Sequence, residues 1–191
     1  MISPHEISST DTSPDAYRGE VTPAGVTAVL SALLPLLRSD VFLDVGSGIG
    51  DIIAHVALAT QTGMAIGIEF QDHLAQLSKT IIYTATASLP NFAKVFIHSD
   101  VVQTKGPATQ DAMHPSTNLF SNNLVFDPSS NDVLKGFVTN APNLVHLVTK
   151  LCWRHRGTCK QDFCSVWQLR RTIEAAMSWS AKPHEAFWYI Q

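Results

Sequence analysis

Three glycines at alternate positions, Gly46-Ser47-Gly48-Ile49-Gly50, separate an apolar run from a helix-spaced one and restrict this chain to few architectures. Val41, Phe42, Leu43 and Val45, interrupted only by Asp44, have the near-continuous apolar character of a strand covered on both faces. Beyond the glycines, Ile52, Ile53, Val56, Ala57 and Ala59 recur at helical spacing, and Gly63 is a natural stop. A second apolar stretch, Met64 to Ile68, ends in Glu69. The order is strand, glycine turn, helix, strand, acid: a nucleotide-type βαβ unit.

Glycines let the backbone turn tightly and approach a ligand, and the helix N-terminus that follows offers unpaired N–H groups. An acid at the tip of the second strand can accept both hydroxyls of a ribose. The spacing G-x-G-x-G, with Asp44 two residues before the first glycine, differs from the dinucleotide fingerprint G-x-G-x-x-G. It resembles the first motif of S-adenosylmethionine (SAM) methyltransferases. In that resemblance Asp44 lies near the amino-acid end of SAM and Glu69 on its ribose.

The rest of the chain supplies partners for this unit. Residues 1–14 are rich in Ser, Thr, Pro and Asp and are expected to be a flexible lead-in to a domain over 15–191. Val26, Val29, Leu30, Leu33 and Leu34 form a helical stripe, with Thr22 as N-cap, Pro23 at the first helical position and Pro35 ending it. Leu74, Leu77, Ile81 and Ile82 form another, followed by a third strand over 94–98. Residues 104–116 hold two prolines and a glycine and are expected to be loop. A fourth strand is expected over 118–124. Asp127-Pro128-Ser129-Ser130 is turn chemistry opening a helix to about Asn140, and a fifth strand follows over 144–151. Residues 165–179 fit a helix or a strand by composition, and 186–190 read as a closing strand. No repeat or linker interrupts this order, which predicts one doubly wound α/β domain.

At 191 residues the chain can bury roughly 70% of its unfolded surface. No apolar run reaches the ~20 residues of a membrane span and no signal-peptide pattern opens the chain, so a soluble intracellular protein is expected. Cys152, Cys159 and Cys164 match neither a zinc ribbon nor a disulfide scaffold, and the eight histidines lack ligand spacing, so no metal is expected. Net charge is −3, yet from Lys150 onward seven basic residues face three acids. That end, with Trp153-Arg154-His155-Arg156, is either a surface for an acidic partner or a solvated face.

The stretch Asn122-Asn123-Leu124-Val125-Phe126-Asp127-Pro128 falls at the carboxyl end of the fourth strand, where open α/β sheets face their ligand crevice. Asn122 is the candidate polar residue to orient an acceptor nitrogen and Phe126 a candidate wall. The pair Asn122-Asn123 is alternatively a plain strand-end turn. Asp127 is either a helix cap, the favoured choice, or a base.

Four blocks in order, Y-R-G-E-V-T from Tyr17, F-L-D-V-G-S-G-I-G-D from Phe42, N-N-L-V-F-D-P from Asn122 and M-S-W-S-A-K-P from Met177, resemble the Dot-one (disruptor of telomeric silencing) histone lysine methyltransferases. These are the non-SET enzymes that modify a lysine in the globular core of histone H3. The resemblance implies a mostly parallel seven-stranded Rossmann-like sheet, with strands between Val166 and Trp179. It implies SAM as cofactor, with S-adenosylhomocysteine as product and no metal. Tyr17, Gly19, Glu20 and Thr22 would lie in the loop over SAM. Asp44, Gly46, Gly48 and Asp51 would form the cofactor loop, with Glu69 on the ribose and Asp100 and Val101 flanking the adenine. Asn122 would touch the transferred methyl, with Phe126 beside it. Ser178, Trp179, Lys182, Pro183 and Phe187 would shape the lysine channel. Histone H3 or the nucleosome is the implied partner and the nucleus the implied location. Arg18 is inserted relative to the family's Y-G-E, Leu124 stands where an aromatic is usual, and Phe187 and Trp188 are displaced. The family's lysine-rich flank has no counterpart here, so phosphate neutralisation by such a flank is not expected. The alternatives are a methyltransferase on another protein or nucleic-acid amine, and a non-catalytic SAM-binding module.

Overall fold

A computed structural model describes residues 20–33, 35–100, 107–153 and 161–191. Its centre is a seven-stranded sheet in the order β3-β2-β1-β4-β5-β7-β6. The strands are β1 (Val41–Val45), β2 (Met64–Glu69), β3 (Val95–Ser99), β4 (Asn118–Ser121), β5 (His146–Thr149), β6 (Gln168–Ala175) and β7 (His184–Ile190). The first five run parallel, and β7 runs antiparallel between β5 and β6. The strand order reverses between β1 and β4, so the segments leaving those two strands diverge and open a crevice at their carboxyl ends.

Period-two alternation explains why β1 looks apolar throughout. Phe42 faces a core shared with α1 (Pro23–Leu33), α2 (Asp51–Ala59) and α3 (Asp72–Thr86), while Leu43 and Val45 face a second core. That second core packs α4 (Pro107–Met113), α5 (Pro128–Thr139) and α6 (Asp162–Val166) against Ile66, Ile68, Leu119, Leu147 and Tyr189. Both faces are covered, as parallel strands require.

Local signals set the helix ends. Thr22 caps α1, its Oγ1 accepting the Gly25 N–H at 3.3 Å, and Pro23 opens the helix. Asp127 caps α5 by accepting the Ser130 N–H at 3.0 Å, ahead of Pro128 at the first position. No described helix is long and apolar enough to cross a membrane.

Two expectations are corrected. The stretch 104–116 is not all loop, because Pro107–Met113 is helical. Its cap comes from Asp100, whose Oδ2 accepts from the N–H and hydroxyl of Thr109 at 2.8 and 2.9 Å, a partner nine residues away that local spacing does not reveal. The fourth strand stops at Ser121, because residues 123–125 wind into a 3₁₀ turn. The tail, left open by composition, holds a short helix and then β6, the strand that the resemblance implied between Val166 and Trp179, paired antiparallel with β7. The expected lead-in over 1–14, together with Tyr17, Gly19, Val101, Arg154, His155, Arg156 and Cys159, lies outside the described residues.

Candidate active site

The glycine loop leaves β1 with φ of 83° at Gly46, 54° at Gly48 and 89° at Gly50. L side chains rarely hold such values, so the alternate glycines are a backbone requirement. The N–H groups of Gly46 and Ser47 both donate to the Ile68 carbonyl, at 2.8 and 3.0 Å, which folds the loop onto the end of β2. There Glu69, 1% exposed, accepts the Gly48 N–H through Oε2 at 2.8 Å and the Gln71 N–H through Oε1 at 2.9 Å. Asp100 adjoins it, donating its N–H to the Glu69 carbonyl at 3.1 Å.

Asp44 sits in the middle of this arrangement. It is 1% exposed, and neither carboxylate oxygen has a hydrogen-bond partner among the described residues. Burial, and then the charge of Glu69, hold its carboxyl well above the usual range. Glu20 and Asp51 stand nearer the rim and are exposed overall. Partial desolvation raises the pKa of both, and the Asp51 charge raises that of Glu20 further. Four carboxyl groups thus gather around one glycine loop, and three of them are held above their ordinary pKa. Such a cleft favours a ligand carrying positive charge.

The methyl-facing candidates meet the same loop. Ser121 closes β4 and donates its hydroxyl to the Val45 carbonyl at 2.8 Å, fastening the ends of β4 and β1. Asn122 follows, half-buried, at the start of the 3₁₀ turn. Phe126 leaves that turn and lies against Gly46, where a β-carbon would fall 2.8 Å from the ring. The fold therefore brings Asn122, Phe126, Gly46, Gly48, Glu69 and Asp44 to one end of the sheet.

Glu20, close enough to feel the charge of Asp51, reaches the site from the other end of the chain, while Thr22 is engaged in capping α1 and in bonds to Ala176. Thr22 donates its N–H and its hydroxyl to the Ala176 carbonyl, at 3.0 and 3.1 Å. Glu20 receives the Ser178 N–H on its carbonyl at 2.9 Å, and the Glu20 N–H donates to the Ser178 hydroxyl at 3.0 Å. With the Val21–Met177 bridge, this makes a short antiparallel ribbon between the segment expected over the cofactor and the one expected in the channel.

The channel candidates are less tightly grouped. Trp179 is 51% exposed, its ring 4.3 Å from that of His184, and Lys182 is exposed in the same β6–β7 loop. Phe187 lies deeper in β7, opposite Thr149 and Thr172, and packs on the α5–α6 core. Among the described residues no group of three His, Cys, Asp or Glu side chains could hold a metal ion.

Sequence inspection missed the fastener of the turn. Asn123, fully buried, accepts the N–H groups of Lys150 and Leu151 at 2.9 and 3.2 Å and donates to Asn131 at 2.6 Å. Asn131 in turn donates to the Phe126 carbonyl at 3.0 Å. The signal was present as the doubled asparagine, but its partners lie 27 and 8 residues away.

Comparison with known proteins agrees with this geometry. Similar solved structures are the methyltransferase domain of bacterial CtHen1-C (TM-score 0.64, 9% identity, 88% of this chain and 97% of that one) and an RNA methyltransferase from Salinibacter ruber in complex with S-adenosyl-L-homocysteine (TM-score 0.57, 15% identity, 90% and 92%). At such identities they establish the fold, which is that of SAM-dependent methyltransferases. No curated protein sequence matches the chain. The family model described as "Histone methylation protein DOT1" matches residues 7–190. The chain belongs to the DOT1 histone methylation family.

Proposed function

We propose that this protein is a SAM-dependent lysine N-methyltransferase of the DOT1 type, acting on a lysine in the globular core of histone H3 within the nucleus. The observation that carries the proposal is the junction of Asn122 and Phe126 with the glycine loop, through the Ser121–Val45 bond and the Phe126–Gly46 contact. The Phe126 ring lies against Gly46, and Asn122 directly follows the residue that fastens β4 to β1, which supports an acceptor amine positioned next to the loop.

The residues present fit SAM. Asp44 is a buried acid with no hydrogen-bond partner among the described residues, Glu20 and Asp51 add acid at the rim, and the two oxygens of Glu69 accept backbone N–H groups in the cleft. Asp44, Glu20 and Asp51 would take the ammonium end and Glu69 the ribose, with Gly46 and Gly48 giving backbone approach. Tyr17, Gly19, Thr22, Asp100 and Val101 complete the set that family resemblance implies. SAM, when bound, supplies an electrophilic methyl group on a sulfonium centre.

The chain's own residues then act by positioning. Asn122 offers an uncharged carbonyl that orients the acceptor N–H without taking its proton. Phe126, packed against Gly46, supplies an apolar wall beside the glycine loop that favours the neutral amine where water is excluded. That matters because a free lysine, with a pKa of about 10.4, is almost wholly protonated at neutral pH.

The test is labelled methyl transfer from SAM to nucleosomes, free histones and nucleic acid in parallel, with wild type, Asn122→Ala and Glu69→Ala. Label on histone H3 that vanishes in both variants supports the proposal. Label on nucleic acid or on another protein moves the acceptor, and SAM binding with no transfer to any of them leaves a binding module.

A further inference from the structure

Lys150 has no role in the cofactor cleft, yet it is 4% exposed and sits where β5 ends. Burial pulls its ammonium down to about 8, against the opposing pull of Glu185. A methionine would fill such a space without that cost. What the lysine adds is reach. Its Nζ donates to the His184 carbonyl at 3.0 Å, while its N–H is one of the two held by Asn123.

The position of that bond is informative. The ladder between β5 and β7 runs from His146–Ile190 to Thr149–Phe187 and stops there. His184, three residues beyond the last pair, opens β7 directly after the loop that carries Trp179 and Lys182. The Trp179 ring rests against the ring of His184. On the other side, Asn123 is continuous with Asn122 and is tied through Asn131 to the Phe126 carbonyl. The Lys150 side chain therefore spans the gap beyond the last β5–β7 pair, between the turn bearing Asn122 and the first residue of β7, which is paired on its other side with Ala175 of β6 and follows the loop bearing Trp179.

We propose that Lys150 is a positioning residue that holds the β6–β7 loop in fixed relation to the Asn122 turn, so that it governs how the acceptor is engaged and leaves cofactor binding alone. The acceptor half of this statement rests on the function proposed above; the placement of the loop does not.

The experiment compares wild type, Lys150→Met and Lys150→Arg by amide hydrogen exchange, SAM binding calorimetry and steady-state methyl transfer. In Lys150→Met, exchange over 178–184 should quicken at least about tenfold while the amides of 46–50 stay as in wild type, because a localised opening replaces a charged hydrogen bond. The SAM Kd should stay within about twofold. The acceptor kcat/KM should fall roughly ten- to hundredfold, as for a misplaced reactant. Lys150→Arg, which keeps a donor, should restore both. Should Lys150→Met melt too low to study, Lys150→Gln, which falls short of His184, serves in its place. Unchanged exchange over 178–184, or loosening spread equally over β4 and β5 with a matching loss of SAM affinity, overturns the proposal. If wild type methylates no acceptor, the proposed function fails, and the exchange result still decides the positioning role.

Discussion

Oε2 of Glu69 accepts the Gly48 N–H at 2.8 Å, so the tip of β2 and the loop after β1 are fastened into one unit. The same carboxylate holds the Gln71 N–H with its other oxygen, just ahead of α3. A single side chain thereby ties the glycine loop to the start of α3.

Glu69→Gln should accordingly weaken SAM binding about 10- to 100-fold, the scale of losing charge-assisted hydrogen bonds. Calorimetric titration with SAM measures it, with the melting temperature as a control for folding. A Kd within threefold of wild type would remove Glu69 from the cofactor site.

Asp44 makes a prediction about pH. Its folded pKa lies well above the value near 3.9 expected when unfolded, so between those two values the folded state binds more protons than the unfolded one. Stability from this group is full at low pH and is lost as pH rises through the folded pKa. Asp44→Asn should remove that loss and raise the melting temperature of the ligand-free protein near neutral pH by several degrees, since ~1 kcal/mol moves a domain of this size about 2–4 °C. It should also weaken SAM binding, because the ammonium loses its buried counter-charge. Melting curves across pH 4–8, with and without SAM, decide both parts.

The strand–glycine–helix unit was legible in the sequence because its signals are local: the alternation of Phe42 with Leu43, the glycines that positive φ demands, and Glu69 ending an apolar run. The caps at Thr22 and Asp127 were legible for the same reason, each partner lying three residues away. What stayed hidden depends on distant partners. The helix at Pro107–Met113 takes its cap from Asp100, and β6 gains its ladder only against β7. The ribbon between Glu20 and Ser178 joins residues 158 apart, which no spacing rule anticipates. Asn122 was singled out by its place at a strand end, whereas its neighbour Asn123 carries the structural bonds.

Asn123→Ala should therefore be among the costly substitutions in this chain. It orphans the N–H groups of Lys150 and Leu151 together with the Asn131 oxygen, inside the protein. At about 1–3 kcal/mol for each unsatisfied buried group, a loss of ~3 kcal/mol or more is expected, or roughly 6–12 °C in melting temperature. Urea unfolding measures it, and a loss below about 1 kcal/mol would mean that the turn is held by other contacts.

Asp127 separates a cap from a base. Its carboxylate accepts the Ser130 N–H at 3.0 Å and also the hydroxyls of Ser129 and Ser130, all within the first turn of α5. A cap needs an acceptor oxygen at that place, and asparagine provides one; a general base needs a group that takes a proton, and asparagine does not. Asp127→Asn should keep methyl transfer within about threefold of wild type, with an unaltered pH–rate profile. Asp127→Ala should cost about 1 kcal/mol of stability through the lost cap, again with most of the turnover retained. Steady-state rates from pH 6 to 9 on the three proteins, beside their melting curves, give the answer. A hundredfold fall in kcat for Asp127→Asn at unchanged stability would make Asp127 the proton acceptor and leave the capping bonds secondary.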